Sequence, residues 1–155
     1  MTAITVHTDG ACKGNPGPGA WGLVIEDEAK RLCKAGRVDN TTNQKMELTA
    51  AIKALESLGA HQGRPIQLFT DSDYLVKGMT EWMRNWKTKG WRGSNKKIVQ
   101  NKELWQRLDE LNQKHNVQWA WVKGHSGNPG NELADTLANR AMTEGRILER
   151  TVLPL

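Results

Sequence analysis

Four carboxylates in this 155-residue chain sit where a side chain of that type is costly. Asp9 ends a short strand-like run, Ile4-Thr5-Val6-His7-Thr8. A charge at such a place costs stability unless it is paired or holds a cation. Glu47 stands one position before the apolar stripe Leu48, Ala51, Ile52, Leu55 and Leu58, so at 100° per residue it flanks that stripe. Asp71 closes the strand-like PIQLFT at 65–70, and Asp135 lies between Ala134 and Leu137 near the apolar seam of the last helical segment. Acids gathered from separate elements repel one another and need cations to fold together. Hard divalent ions with oxygen ligands suit them, Mg²⁺ above all, because it takes its remaining ligands from water and phosphate. Two such ions about 4 Å apart stabilise both the attacking and the leaving oxygen of a phosphodiester displacement.

A second feature points the same way. The net charge of +5 is local: residues 82–102 carry Arg84, Lys87, Lys89, Arg92, Lys96, Lys97 and Lys102 and no acid, and the remainder is slightly acidic. A basic patch of this kind fits a polyanion.

Elements must position these residues. The chain length suits one domain with a real core. Strands are expected at 3–9, 20–27 and 30–38, with Trp21, Leu23 and Ile25 alternating against small neighbours. A helix follows on the 48–58 stripe and ends at Gly59, then the strand at 65–70. Leu75, Val76, Met79, Trp82, Met83 and Trp86 keep helical spacing up to the break at Gly90, which puts Trp86 in the core. A helix over 101–115, a strand at 117–122, a loop at 123–131 and a helix at 132–142 complete the order. Three early strands followed by alternating elements make a mixed α/β sheet with helices packed on it. A single domain is expected over 1–142, with 143–155 a tail lacking regular structure. Cys12 and Cys33 form no pair motif, no signal peptide is visible, and no apolar run reaches the roughly 20 residues of a membrane span, so a cytoplasmic protein is expected.

Other motifs fail. Gly17-Pro18-Gly19-Ala20-Trp21-Gly22 fits a dinucleotide fingerprint in letters but opens a strand-like run instead of a helix. His125-Ser126 lies in GHSGN, which is not a nucleophile elbow.

The stretches TDGACKGNPGPGAWG (8–22), TTNQKMELTAAIKAL (41–55), TDSDYLVKGMTEWMRNWKTKGW (70–91), NKELWQRLDEL (101–111) and WVKGHSGNPGNELADTLA (121–138) closely resemble the type 1 ribonucleases H of bacteria, in the family's order. The resemblance implies the ribonuclease H-like fold, a five-stranded mixed sheet flanked by helices. It implies an endoribonuclease that hydrolyses the RNA strand of RNA–DNA hybrids with two Mg²⁺ ions, Mn²⁺ being a substitute, and leaves 5′-phosphate and 3′-hydroxyl ends. The family's metal-binding carboxylates fall on Asp9, Glu47, Asp71 and Asp135, and its mobile-loop histidine on His125. Cys12, Asn15, Asn43 and Gln44 match positions that touch the hybrid near the reaction, where a 2′-hydroxyl tells RNA from DNA. Thr42 matches a residue that helps hold a DNA-strand phosphate. Trp82, Lys87, Lys89, Lys96 and Lys97 match the basic protrusion that grips the DNA strand. A monomer with no obligate protein partner and no membrane contact is implied. The chain departs from some members at Asp73, where they carry glutamine.

Overall fold

The computed structural model describes residues 3–28, 30–59, 63–145 and 148–152. Three antiparallel strands open the chain, β1 (Ile4–Cys12), β2 (Gly17–Glu26) and β3 (Arg31–Thr41), followed by helix α1 (Asn43–Leu58) and strand β4 (Pro65–Thr70). Next come α2 (Asp73–Lys77), a π-helical turn (Gly78–Trp82), α3 (Met83–Thr88), α4 (Lys102–Lys114), β5 (Asn116–Trp121), α5 (Pro129–Glu144) and β6 (Leu148–Val152). The strands form one sheet in the order β5-β4-β1-β2-β3-β6, with β4 parallel to both β1 and β5. The expected five-stranded mixed sheet is present.

The sheet is covered on both sides, and β2 shows how its sequence allows this. Trp21, Leu23 and Ile25 join the core beneath α1 and α4, with Leu48, Ile52, Leu55, Trp105 and Leu108. Their alternate neighbours Ala20 and Val24 are buried with Ala134, Ala138 and Ala141 of α5. A Cβ on Gly22 would lie 2.3 Å from the Ala134 carbonyl oxygen, so α5 packs directly on the backbone of β2. The small neighbours of the alternation are thus a second buried face and not a solvated one.

Three expectations need correction. The tail does not lack regular structure: β6 pairs antiparallel with β3 from Arg31↔Val152 to Ala35↔Leu148, adding a sixth strand. Without it β3 would present a row of unpaired amides and carbonyls. The helix expected at 75–86 is divided by the π-helical turn at Gly78, whose Cβ would fall 2.0 Å from the Trp105 ring. The last helix starts at Pro129, capped by the Asn128 side chain accepting from Asn131 N–H at 3.0 Å, which shortens the expected 123–131 loop.

Candidate active site

The carboxylates meet where two parallel strands part. Pairing of β1 with β4 ends at Thr8↔Thr70, so Asp9 and Asp71 are the next residue on each strand. Ligand sites of open α/β sheets lie at such carboxyl ends. Glu47 comes from the first turns of α1, which can sit this low on β1 because residue 10 is glycine. A Cβ there would lie 2.5 Å from Glu47 N and 2.6 Å from the Met46 carbonyl carbon. The Gly10 N–H also donates to the Glu47 carboxylate. Ligand oxygens of Asp9, Glu47 and Asp71 all lie within 4.8 Å of one another. Asp135 approaches Asp9 from α5, close enough to help raise the Asp9 carboxyl.

Burial makes this cluster energetically costly. Asp9 is 4% exposed and Glu47 5%. Burial, then the charge of Glu47, pushes the Asp9 carboxyl up from 3.8 to about 10. Glu47 is likewise held well above the usual carboxylate range, first by burial and then by the charge of Asp71. Glu47 Oε2 is buried without a hydrogen-bond partner. An orphaned buried oxygen among carboxylates, with no nitrogen or sulfur ligand in the set, fits a hard divalent cation.

The other expected residues occupy two further regions. Around the start of α1, Thr42 caps the helix, its Oγ1 accepting from Lys45 N–H at 3.2 Å. Asn43 and Gln44 are exposed in the first turn. Asn15 Oδ1 accepts from Asn43 N–H at 2.8 Å and ties the glycine-rich β1–β2 loop to this helix end. Cys12, half-buried at the end of β1, lies with Sγ 3.4 Å from the Thr41 carbonyl. These five residues share one surface because β1, the loop and the β3–α1 junction meet there.

The basic segment is separate and centred on tryptophans. Trp82 meets Tyr74 edge-on at 6.0 Å, and Trp86 meets Trp105 at 5.2 Å. Both Trp82 and Trp86 are half-buried; Trp86 packs against the main core as expected, and Trp82 is not part of it. Trp82, Asn85, Trp86, Lys89 and Arg92 line an open pocket of about 180 Å³. Lys96 and Lys97 are exposed in the following loop. Lys87 is not directed into this pocket: its Nζ lies 3.1 Å from Asp109 Oδ1 on α4. Reversing the charge of Lys89, Lys96 and Lys97 together is therefore expected to weaken binding of a nucleic-acid duplex and to flatten its salt dependence by a slope of about 2–3. Filter binding from 50 to 300 mM salt reads this, and an unchanged slope would detach the patch from the polyanion.

His125 is exposed between β5 and α5 with a φ of 55°, a left-handed conformation uncommon for a non-glycine residue. Its loop passes hard against the carboxylates, since a Cβ on Gly124 would lie 2.7 Å from Asp71 Oδ2. Glu132 Oε1 accepts from Gly127 N–H at 3.2 Å and Ser126 Oγ donates to the Lys123 carbonyl at 2.6 Å, which shapes the loop. Asp73 turns to solvent and pairs with Lys77 at 3.0 Å, so it does not add a fifth acid to the cluster.

Sequence reading missed several supporting groups. Asn131 is 2% exposed with its Nδ2 3.5 Å from Asp71 Oδ2. The Trp121 indole N–H donates to the Asp71 carbonyl oxygen at 3.1 Å. Asn139, on α5, donates to Asp135. In sequence Asn131 falls in the loop expected at 123–131; Asn128 before Pro129 is a helix-start signal that would have placed it in the helix.

The RNase H family model matches residues 1–143. The chain is 52% identical over 146 residues to the ribonuclease H of Maricaulis maris, covering 94% of this chain and 97% of that protein. It is 55% identical over 144 residues to the ribonuclease H of Ruthia magnifica, covering 92% and 97%. Among solved structures it is similar to LC9-RNase H1, described as a type 1 RNase H with the type 2 active-site motif, at 32% identity and a TM-score of 0.81 over 96% of this chain and 77% of that one. It is also similar to LC11-RNase H1 in complex with an RNA/DNA hybrid, at 25% identity and a TM-score of 0.70 over 92% and 98%. With its fold, its carboxylates and its relatives in agreement, this chain belongs to the type 1 ribonuclease H family.

Proposed function

We propose that this chain is an endoribonuclease that hydrolyses the RNA strand of RNA–DNA hybrids. The observation that carries the reading is the trio of buried Asp9 and Glu47 with half-buried Asp71, whose oxygens lie within 4.8 Å of one another. Asp9, Glu47, Asp71 and Asp135 would hold two divalent ions, Mg²⁺ foremost, with Mn²⁺ able to replace it. When bound, such ions supply Lewis acidity for the displacement at phosphorus. The reaction adds water across the P–O3′ bond, giving a 5′-phosphate and a 3′-hydroxyl, and needs no covalent bond to the protein.

The chain's own residues do the rest. Cys12, Asn15, Asn43 and Gln44 present a thiol and amides to the hybrid beside the carboxylates, where a 2′-hydroxyl is donor and acceptor at once. Thr42, at the end of α1, holds a phosphate of the DNA strand together with backbone N–H groups of the first turn. Trp82, Lys89, Lys96 and Lys97 grip the DNA strand further along, and Lys87 serves there only when released from Asp109. His125 moves a proton at its imidazole as product leaves. The reading takes residues 1–142 as the catalytic unit and the active species as a monomer in the cytoplasm, a reducing compartment that suits two cysteines not joined as a disulfide. Among the described residues no helix is long and apolar enough to cross a membrane.

The test is cleavage of a labelled RNA–DNA hybrid with Mg²⁺, beside RNA duplex, DNA duplex and an EDTA control. Cutting confined to the RNA strand of the hybrid, and lost with EDTA, supports the reading. Hybrid binding without cutting would make this a binding module, and cutting of DNA duplex would make it another metal nuclease of the same fold. His125→Ala is expected to slow turnover about 100-fold at unchanged hybrid affinity, the low end of the range for a general acid–base group. Complete loss would give the imidazole a larger part than moving one proton.

A further inference from the structure

Asp135 is the carboxylate that stands apart. The trio of Asp9, Glu47 and Asp71 is held by β1, the end of β4 and the buried Met46-Glu47 turn of α1. Asp135 is half-buried on α5 and opens on a solvent groove of about 370 Å³ shared with Thr136, Asn139 and Thr143. A carboxylate in that setting can rotate about two side-chain bonds, so something must fix which oxygen faces the trio.

Asn139, one helical turn further on, does this. Its Nδ2 donates to the Asp135 carbonyl oxygen at 2.9 Å and to Asp135 Oδ1 at 3.2 Å. The first contact anchors the amide to the helix backbone. The second occupies Oδ1 and leaves Oδ2 for a further partner. The residue is exposed in the interior of a helix, where asparagine is a poorer helix former than alanine, so helix stability is not what it supplies.

We propose that Asn139 is a positioning residue for the metal centre: its amide holds Asp135 in the orientation in which Oδ2 completes the ligand set with Asp9. This rests on the functional reading above. Groups that orient metal ligands change metal affinity about 10- to 100-fold when removed. An exposed amide belongs at the low end of that range.

The experiment measures the Mg²⁺ concentration giving half of the thermal stabilisation of the hybrid-free protein, and beside it the Mg²⁺ midpoint of hybrid cleavage. Wild type, Asn139→Ala and Asn139→Gln are compared. Asn139→Ala is expected to raise both midpoints about 10-fold, with metal-free melting unchanged or higher. Its turnover should return toward wild type at saturating Mg²⁺. Asn139→Gln, which still carries a donor of sufficient reach, should recover most of the shift. Midpoints for the alanine variant equal to wild type would overturn the proposal while leaving the functional reading intact. A wild-type protein that neither gains stability from Mg²⁺ nor cleaves hybrid would overturn both.

Discussion

Asp9→Asn is expected to lose hybrid cleavage by at least about 1,000-fold, as removal of a ligand worth several kcal/mol to the transition state would. The same variant is expected to bind hybrid within a few-fold of wild type, because the contacts around α1 and the basic loop are untouched. It should also melt higher than wild type when metal is absent. The sign follows from burial. The folded-state pKa of Asp9 is pushed from 3.8 up to about 10, with burial the largest cause and Glu47 the next. Below the unfolded value both states carry the proton and the favourable contribution is complete. As pH rises toward 10 the unfolded chain ionises freely and the folded one does not, so stability falls. Glu47, raised by burial and by Asp71, adds to the same slope. Asparagine carries no ionisable carboxyl, so the difference between variant and wild type should widen from pH 4 to pH 8. At pH 7 it should reach about 4 kcal/mol, or about 10 °C in melting temperature. Saturating Mg²⁺ should close the gap by stabilising wild type alone. Calorimetry at several pH values with and without Mg²⁺ reads all of this. A variant that melts at or below wild type throughout would remove electrostatic strain from the account of Asp9.

The acids were legible in sequence because each violates a local rule: a charge at a strand end, or beside an apolar stripe. Their convergence was not, since it depends on β1 lying parallel to β4 with pairing that stops at Thr8↔Thr70. No spacing within the 61 intervening residues encodes that register; it comes from burying Ile4, Val6, Ile66 and Leu68 under one pair of helices. Charge type was legible at Lys87, but its direction was not, because Asp109 lies 22 residues away on α4. The strand at Leu148–Val152 carries no strong pattern of its own and forms against the open edge of β3. The strand expected from residue 20 already begins at Gly17. Glycine signals both turns and close approaches, and sequence alone does not separate them.

Gly10 is such an approach, and it links packing to chemistry most directly. Gly10→Ala is expected to cost about 2–3 kcal/mol of stability and to reduce hybrid cleavage about 100-fold or more. The added methyl group would lie 2.5 Å from Glu47 N and 2.6 Å from the Met46 carbonyl carbon. Both are helix backbone, so no rotamer change relieves the contact and α1 itself must move off β1. That movement draws Glu47 away from Asp9 and weakens the Gly10 N–H bond to its carboxylate. A displacement of about 1 Å suffices for a loss of that order when geometry sets the rate. Gly36→Ala provides the control. Its methyl group would meet the Trp21 ring at 2.6 Å, a comparable overpacking of the same sheet against a side chain, with no α1 backbone and no acid among the nearest atoms. Both variants should melt lower than wild type. Assayed well below melting, Gly36→Ala should cleave hybrid at close to the wild-type rate and Gly10→Ala should not. The Mg²⁺ midpoint should rise for Gly10→Ala alone. Equal activity of the two would mean that Glu47 reaches its place without the bare backbone of residue 10, and the close seat of α1 on β1 would then serve stability only.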